Sequence, residues 1–542
     1  MRILYFISVR LRKFSILIFN HFLIFPLSTV LLISCSTNPS IPNSTINEKP
    51  NIVFIMADDH AYQAISAYGS PLAKLAPTPN IDRIAKNGML MNAAYCTNSI
   101  CGPSRASILT GNYSHVNGFF KNEGGGDFNS DLQTFPKIFQ KNNYQTAIVG
   151  KWHLGTEPKG FDYSKVLVNW WGQGTYYNPQ FCINGKDTVT EKVRHSTKVI
   201  EDDCIAWLDQ RDTTKPFLLM YQFKAPHRDW VPDSMYKDLF DGIEFPEPTT
   251  FNDDYEGRLA ASENMMEIEN HLNRRDLKQV VPDSLSGRDS IKWLIYGDNG
   301  QYWSPHDSLV GPELKKWKYQ TYIKNYLKCI AGVDRAVGRL LDYLERNKLS
   351  ENTIVVYTSD QGFYLGEHGW FDKRWMYEES FKMPFLIQYP KLIQPAKVSN
   401  KFILNVDFAP TLLDFAGIDI PNDMQGKSFR NMFVDSAYTN HNEIYYHYYE
   451  YPKWHKVQPH YGIRTSKYKL IHYYYSMDEW ELFDLQNDPN EMHNIYNQAD
   501  DSLKVKLKAK LIELQKKYRD DQSLMEMKLM TDTVIKRSYK GL

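Results

Sequence analysis

Two pairs of oxygen-bearing side chains in this sequence have the composition of a site for a hard cation. Asp58 and Asp59 follow one apolar run, and Asp360 and Gln361 follow another. Three carboxylates and an amide oxygen brought together repel one another unless a cation lies between them, and ligands that are all oxygen favour Ca2+ or Mg2+ over zinc. One such pair alone fits a solvated turn, but two pairs at two strand ends predict a metal site.

Basic side chains follow apolar runs of the same kind elsewhere in the chain. They are Lys151, His153, His227, Lys373 and Arg374. Taken singly, a lysine is usually a surface residue and a histidine usually a structural one. Gathered at one edge of a sheet, they predict a pocket for a small anion, flanked by two histidines that can carry protons.

The stretch CGPSRASILTG, residues 101–111, places Cys101 against a proline and an arginine where a helix would begin. A thiol nucleophile, half of a disulfide, and a cysteine that is chemically rewritten after synthesis are three roles for this residue. The chain has no CxxC and no Cys/His metal pattern, which argues against a zinc finger or a thioredoxin-like site. The N-terminus of this helix would face an anion.

Four short apolar runs must position these side chains. The runs are Asn51 to Ala57, Gln145 to Gly150, Phe217 to Phe223 and Thr353 to Thr358, with helical patterns between them such as Pro79 to Asn87, Leu132 to Asn142 and Lys324 to Asn347. Strands that alternate with helices predict an α/β fold with a mainly parallel sheet and helices on both faces. In such sheets ligands bind outside the carboxyl ends of the strands, where the polar clusters lie.

The character of the chain changes beyond about Phe433, where short Tyr-rich segments are separated by turns. The segments are Ile444 to Tyr451, Tyr461 to Thr465, Lys469 to Tyr475 and Glu481 to Asp484. They predict an antiparallel sheet, followed by an amphipathic helix over Lys504 to Tyr518. The last residues show no informative pattern.

Bulk properties exclude one class of partner. The 63 basic and 63 acidic residues of the 542 give no net charge, so there is no overall field to hold nucleic acid. Any anion bound by this protein must be met by a local cluster. Aromatic residues make up 14% of the chain, a content that suits stacking against sugar rings.

The N-terminus has the order of an export signal. Three basic residues precede a mostly apolar run over 14–33, which ends at Leu-Ile-Ser-Cys with Cys35 and is followed by a polar stretch. The tetrapeptide resembles a bacterial lipobox, so Cys35 is expected to carry a lipid. A plain membrane anchor is the alternative. The predicted division is 1–34 signal peptide, 35–50 polar linker, 51–432 catalytic domain, 433–520 C-terminal subdomain with an antiparallel sheet, and 521–542 tail.

Export to an oxidising compartment leaves an odd number of cysteines for disulfide pairing. Besides Cys35 they are Cys96, Cys101, Cys182, Cys204 and Cys329. One thiol is therefore expected to be left over, with Cys101 the candidate, and the pairing of the others is not fixed by the sequence.

At this point the motifs resemble a known family. CGPSRASILTG is similar to the Cys-x-Pro-Ser-Arg signature of the type I sulfatases, whose cysteine is oxidised to formylglycine. The similarity extends over 51–59, 150–155, 225–227, 358–373 and 462–488, which covers most of the mature chain. It implies an alkaline-phosphatase-like fold and hydrolysis of sulfate esters, dependent on one Ca2+ ion and on a formylglycine-generating or sulfatase-maturing enzyme.

The resemblance also implies roles for individual residues. Asp58, Asp59, Asp360, Gln361 and the modified Cys101 would bind calcium, with glutamine standing where many relatives have asparagine. Arg105 would hold the hydrated aldehyde, and Lys151 and Lys373 would neutralise the sulfate oxygens. His153 would take the proton as sulfate leaves, and His227 would protonate the departing alcohol. An aldehyde suits this chemistry because its hydrate has one hydroxyl to attack sulfur and a second that allows sulfate to be eliminated.

The substrate is less well defined by the sequence. Residues that adjoin the motifs and could contact a sugar are His60, His115, Arg228, Trp230, His306, Arg374 and Trp375. An exported, lipid-anchored sulfatase of the cell envelope suits sulfated polysaccharide fragments, either algal ones such as ulvan or carrageenan, or glycosaminoglycans and mucins. Two alternatives stay open: a phosphohydrolase of the alkaline-phosphatase superfamily, and a catalytically dead glycan-binding lipoprotein.

Overall fold

The computed structural model describes residues 49–122, 128–296 and 309–537. The predicted signal peptide over 1–34 and the lipidation site at Cys35 lie outside the described residues, as do nearly all of the linker over 35–50 and His306. In the part of the chain that is described, no helix combines the length and the apolar character needed to cross a membrane.

Strands and helices alternate through the first four hundred residues, as the sequence predicts. The strands described are β1 (Asn51–Ala57), β2 (Met89–Met91), β3 (Ala94–Tyr95), β4 (Gln145–Gly150), β5 (Tyr163–Leu167), β6 (Gln180–Ile183), β7 (Asp187–Thr190), β8 (Phe217–Phe223), β9 (Thr353–Ser359), β10 (Tyr364–Leu365), β11 (Phe371–Asp372), β12 (Lys382–Met383), β13 (Phe385–Gln388), β14 (Lys397–Ser399), β15 (Ile403–Leu404), β16 (Ile444–Tyr448), β17 (His460–Arg464), β18 (Tyr468–Tyr473) and β19 (Glu479–Asp484). Three of the four predicted site strands have the bounds expected, and the fourth extends by one residue to Ser359.

The helices differ greatly in length, and helices pack on both faces of the large sheet. They are α1 (Pro79–Lys86), α2 (Cys101–Thr110), α3 (Ser114–Asn117), α4 (Phe135–Lys141), α5 (Asn169–Gly172), α6 (Ser196–Gln210), α7 (Leu259–Ser262), α8 (Ile268–His271), α9 (Gly287–Tyr296), α10 (Gly311–Arg346), α11 (Glu378–Phe381), α12 (Phe408–Phe415), α13 (Asp501–Tyr518) and α14 (Leu524–Arg537). Short 3-10 turns cover Tyr62–Ala64, Ser66–Tyr68, Pro71–Lys74, Ser234–Tyr236, Ser350–Asn352, Glu367–Gly369, Asn405–Asp407 and Arg430–Phe433. The fold is therefore α/β, as expected.

The ten-stranded sheet has the order β14-β2-β13-β9-β1-β8-β4-β5-β6-β7. Its five central strands, from β9 to β5, run parallel, with Ile52 opposite both Leu218 and Ile354. The strands β13, β6 and β7 introduce antiparallel pairs toward the edges. Since β9, β1, β8 and β4 are parallel neighbours, their carboxyl ends lie at one edge of the sheet.

Side chains of β1 alternate between two apolar cores, one on each face of the sheet. Ile52, Phe54 and Met56 enter the core that also takes α2, α4 and α12. Val53 and Ile55 enter the core formed with α1, α6 and α10. A strand that is buried on both faces reads as a continuous apolar run, which is the pattern seen in the sequence.

The C-terminal sheet is antiparallel, with the order β16-β17-β18-β19, as predicted. Its inward side chains, including Ile463, Leu470 and Leu482, belong to the same core as Phe54. The tail is a correction, since the sequence showed no pattern where the structure has α14. Met527 and Val534 of α14 are buried, so α14 is a packed helix.

The cysteine expectation is also corrected. All five described cysteines, Cys96, Cys101, Cys182, Cys204 and Cys329, are free thiols, and four of them are buried. Counting cysteines could not single out Cys101, because buried thiols pack as small apolar side chains without pairing.

Because the C-terminal sheet shares a core with the large sheet, Leu470→Ala should destabilise the whole protein. We expect the free energy of unfolding to fall by about 2–5 kcal/mol, the usual cost of a buried leucine. Urea unfolding followed by tryptophan fluorescence measures this, with Ile512→Ala on the exposed side of α13 as the control. An early, separate transition of the C-terminal region in Leu470→Ala would contradict the shared core.

Candidate active site

Side chains from four strand ends meet at the carboxyl edge of the parallel strands. Asp58 and Asp59 follow β1, Lys151 follows β4, His227 comes four residues after β8, and Asp360 follows β9. All but His227 are almost completely buried. The structure therefore brings together the residues that the sequence predicted to lie at one edge.

Helix α2 places Cys101 at the start of its first turn, facing these strand ends. All ten residues of the helix are buried, and Gly111 ends it in the left-handed conformation with φ 66°. Cys101 Sγ lies 3.7 Å from Asp59 Oδ1. Burial raises the pKa of the Cys101 thiol well above its usual value, and the Asp58 carboxylate raises it further. An unmodified Cys101 is thus a neutral thiol and a poor nucleophile.

Helix α2 is tied to the end of β9 by hydrogen bonds. The Ser104 hydroxyl donates to the carbonyl of Asp360, and Asn405 Nδ2 donates to Ser104 Oγ at 2.8 Å. Asn122 Oδ1 accepts from the backbone N–H of Gly102 at 2.8 Å. These bonds fix the start of α2 relative to the carboxylates.

The three carboxylates form a compact buried cluster. Asp58, Asp59 and Asp360 each offer an oxygen within 4.8 Å of the others, and a second group with the same spacing joins Asp58, Cys101 and His227. Gln361 Nε2 donates to Asp59 Oδ1 at 2.5 Å. In the described residues, Asp58 Oδ1 and Gln361 Oε1 are buried without a hydrogen-bond partner. Three clustered carboxylates with such oxygens fit a hard cation, although Asp58 Oδ1 also lies 3.5 Å from Arg105 Nη2.

Three cations pair with the three carboxylates, and Arg105 Nη2 lies near two of them, 3.5 Å from Asp58 Oδ1 as well as beside Asp360. Arg105 Nε and Nη2 lie 3.0 Å from Asp360 Oδ2, and Lys373 Nζ lies 2.7 Å from both oxygens of Asp59. The Lys151 ammonium pairs with Asp58. Arg105 Nη1 also donates to the carbonyl of Lys151 at 3.1 Å, which joins α2 to the end of β4.

Two histidines flank the cluster in their neutral form. His227 Nε2 lies 3.8 Å from Asp59 Oδ2, while its Nδ1 donates to the carbonyl of Arg228 at 2.5 Å. Burial lowers the pKa of both His227 and His153 well below the usual value, and the Lys151 ammonium lowers both further. His153 Nδ1 is buried and has no hydrogen-bond partner in the described residues.

Sequence reasoning missed two polar side chains of this cluster. Gln173 Oε1 accepts from Lys151 Nζ at 2.6 Å, although Gln173 belongs to no motif. Lys224 directly follows β8 and is 4% exposed. Lys224 could have been identified from the sequence, because it directly follows its strand as Lys151 directly follows β4.

Several residues proposed to contact the sugar lie in the packed interior instead. His60 is fully buried, with Nδ1 bonded to Tyr357 Oη at 2.6 Å. His115 is held by the carbonyl of Tyr518 at 2.8 Å and by Tyr449 Oη at 3.2 Å. Trp230 and Trp375 are fully buried in the cores. These expectations are wrong because nearness to a motif along the chain does not fix which way a side chain points.

The two arginines proposed to contact the substrate, Arg228 and Arg374, both lie beside carboxylates of the protein. Arg228 is bonded to Asp276, with Nε 2.7 Å from Oδ1, and lies over the ring of Phe371. Arg374 Nη1 lies 3.6 Å from Asp372 Oδ1, and its Nη2 lies 3.6 Å from Glu450 Oε1.

A polar group that the sequence did not indicate adjoins Lys373. His455 Nε2 lies 3.2 Å from Asp372 Oδ2, and Asp372 Oδ1 accepts from the backbone N–H of Lys373 at 2.9 Å. The next residue along the chain is Arg374, and Trp454 beside His455 is 49% exposed. Arg374 Nε donates to the carbonyl of Trp454 at 3.2 Å, so this buried group is in contact with an exposed residue.

Comparison with known families gives two matches. The model described as Sulfatase matches residues 50–418, and the model described as N-sulphoglucosamine sulphohydrolase, C-terminal, matches residues 366–517. The first spans the large sheet and the site, and the second spans the C-terminal sheet.

Among individual relatives, an N-acetylglucosamine-6-O-sulfatase from Bacteroides thetaiotaomicron is 45% identical over 92% of this chain and 91% of its own length. An N-acetylglucosamine-6-sulfatase from Capra hircus is 29% identical over 71% of this chain and 63% of its own. A solved structure described as a complex with its substrate D-glucosamine-2-N,6-O-disulfate has a TM-score of 0.82 and 45% identity, covering 88% of this chain and 99% of that one. A 2-O glycosaminoglycan sulfatase with a TM-score of 0.66 and 21% identity shares the fold.

The buried free oxygen of Gln361 makes a testable contribution to cation binding. We expect Gln361→Leu to weaken Ca2+ binding by about tenfold or more, since even indirect contacts in metal sites have effects of that size. Gln361→Asn, which keeps an amide oxygen on a shorter side chain, should have a Ca2+ affinity between that of the wild type and that of Gln361→Leu. Isothermal titration with CaCl2 measures the change without any turnover. Equal Ca2+ affinity in the leucine variant and the wild type would remove Gln361 from the site.

Proposed function

Because the chain belongs to the sulfatase family, we propose that it is a calcium- and formylglycine-dependent sulfatase that removes the 6-O-sulfate from glucosamine-type sugars of glycosaminoglycans. The observation that carries this proposal is the joint placement of Cys101, three carboxylates and three paired cations at one sheet edge. The relative at 45% identity supports the sugar class.

Modification of Cys101 would supply the nucleophile that the thiol lacks. Its raised pKa leaves the thiol neutral. When present, formylglycine provides an aldehyde whose hydrate can attack sulfur and later release sulfate. The conversion needs a maturation enzyme and an oxidant, which we propose act on the chain during export.

A calcium ion would be held by Asp58, Asp59, Asp360 and the amide oxygen of Gln361, and would polarise the oxygen at position 101. Arg105 is bonded to Asp360 and to the carbonyl of Lys151, so its guanidinium can hold a group at position 101 from the side of α2. Lys151 and Lys373 flank the cluster and would bind the sulfate oxygens. Fixed charges of this kind act strongly because they are buried, away from the screening of bulk water.

Proton transfer falls to the two histidines. In the arrangement described, the His227 ring has its Nε2 lone pair toward the cluster because Nδ1 donates to Arg228. An anionic sulfate ester would offset the lysines that hold its pKa low, so His227 would take up a proton as substrate binds. It could then protonate the departing alcohol, while His153 would accept the proton released when sulfate is eliminated.

The sugar would lie on the side of Asp372, Arg374 and His455. A carboxylate, a guanidinium and an imidazole are groups that hydrogen bond to sugar hydroxyls. Their contacts with one another orient them in advance. The sulfate lysine Lys373 lies between Asp372 and Arg374 in the chain, so recognition of the sugar and of the sulfate are adjacent.

Export and anchoring remain our proposal from the sequence. The N-terminal signal and Cys35 predict a lipoprotein of the cell envelope, which would place the enzyme where sulfated glycan fragments arrive. Algal polysaccharides such as ulvan or carrageenan are less favoured, because a relative and a solved structure at 45% identity are named for glucosamine sulfates.

The substrate proposal is tested by following sulfate release from a panel of monosulfated sugars, using protein matured with a formylglycine-generating enzyme. We expect release from N-acetylglucosamine-6-sulfate and glucosamine-6-sulfate, with ulvan and carrageenan oligosaccharides and aryl phosphate unreactive. Cleavage of aryl phosphate alone would favour a phosphohydrolase. Binding of the sugars without any hydrolysis by fully converted protein would favour a catalytically dead glycan-binding protein.

The role of His227 is tested by His227→Gln. We expect kcat to fall by about 10²–10⁴-fold, the size of a lost general acid, while Ca2+ affinity stays within a few-fold of wild type. The exposed His493 gives the matched control His493→Gln. Full turnover in His227→Gln would exclude the proposed proton transfer.

A further inference from the structure

Lys224 is a buried lysine at the sulfate site that has no assigned role. It directly follows β8 and is 4% exposed, and its carbonyl accepts from the backbone N–H of His227 at 3.0 Å. The turn that presents His227 to the site therefore begins at Lys224. The side chain lies over the ring of Tyr176, with Nζ 5.0 Å from the ring centroid.

The ammonium of Lys224 is the unpaired cation of the cluster. Arg105, Lys151 and Lys373 are each bonded to a carboxylate, which uses Asp360, Asp58 and Asp59. Among the residues that the structure describes, no carboxylate lies within 4.0 Å of Lys224 Nζ. Lys224 therefore does not stabilise the fold through an ion pair. Burying a charge that has no partner costs several kcal/mol of stability.

Lys224 adjoins the charged cluster, since β8 lies between β1 and β4 in the sheet and Lys224 follows β8 as Lys151 follows β4. Burial and repulsion from the Lys151 ammonium lower the pKa of Lys224 to about 8, against the opposing effect of the Asp229, Asp58 and Asp59 carboxylates. Lys224 in turn contributes to the low pKa of His153 and His227.

We propose that Lys224 binds the sulfate group of the substrate directly, as a third ammonium beside Lys151 and Lys373. The inference rests on the proposed sulfatase reaction. The anion would supply the partner that Lys224 lacks, and the lysine would help to bring the proton onto His227 by fixing the anion beside it. A charge-assisted bond to an anion in a buried site is among the stronger polar contacts in proteins.

A purely structural role makes the opposite prediction about stability. Lys224 covers Tyr176, whose hydroxyl donates to the carbonyl of His227 at 2.6 Å, and in a purely structural role the lysine would only support that turn. In that case Lys224→Met would lower the melting temperature, and binding of the anion would change only through the loss of folded protein. If the lysine serves the substrate, removing an uncompensated buried charge should leave the melting temperature unchanged or raise it.

The test uses calcium-loaded full-length protein in a Cys101→Ala background, so that anion binding is measured without turnover. Isothermal titration with sodium sulfate should show binding weakened by about tenfold or more in Lys224→Met, and by less in Lys224→Arg, which keeps the charge. The control is Lys237→Met, an exposed lysine further along the same segment. In matured protein, Lys224→Met should lower kcat/KM by about 10²-fold.

Unchanged sulfate affinity in Lys224→Met would overturn the proposal, whatever the melting temperature of the variant. Weaker binding that is explained entirely by a loss of folded protein would overturn it as well. Matured wild-type protein that releases no sulfate from any ester would overturn the proposed function instead. The sulfate titration would still decide the role of Lys224, because it does not depend on turnover.

Discussion

The structure depends on charge balance among buried side chains. Three carboxylates and four cations lie at the carboxyl edge of the parallel strands, all nearly or completely buried: Asp58, Asp59, Asp360, Arg105, Lys151, Lys224 and Lys373. Burying an ion that has no partner lowers the stability of the fold by several kcal/mol, and three ion pairs offset most of that loss here. In the described part of the chain, Asp58 Oδ1 and Gln361 Oε1 accept no hydrogen bond and no carboxylate pairs with the Lys224 ammonium, so we propose that these groups receive the cation and the anion.

The rest of the fold holds this balance in place. Parallel strands β9, β1, β8 and β4 bring the charges to one edge, and the fully buried α2 sets Cys101 against them. The C-terminal sheet shares a core with the face of the large sheet that carries α2. Trp454 and His455 lie between β16 and β17, and His455 contacts Asp372. The C-terminal region therefore both packs against the core that carries α2 and reaches Asp372.

The sequence predicted the part of the site that depends on strand ends. Runs such as Asn51–Ala57 are apolar throughout because both faces are buried, so their bounds and the polar residues after them could be read directly. Side chains that reach the site from loops could not, because Gln173 and His455 arrive through contacts distant in sequence. His60 and His115 were misplaced for the same reason, since each is directed inward by partners far along the chain. Helix α14 was missed because its few buried side chains make a weak periodic pattern.

The central claim is that the residue at position 101 acts as an aldehyde and not as a thiol. Mass spectrometry of the Cys101 peptide, from protein expressed with and without a maturation enzyme, tests it most directly when sulfate release is measured on the same samples. We expect activity to rise in proportion to the fraction converted to formylglycine and to be absent from protein that carries only the thiol. Sulfate release by protein whose peptide retains the unmodified cysteine throughout would contradict it.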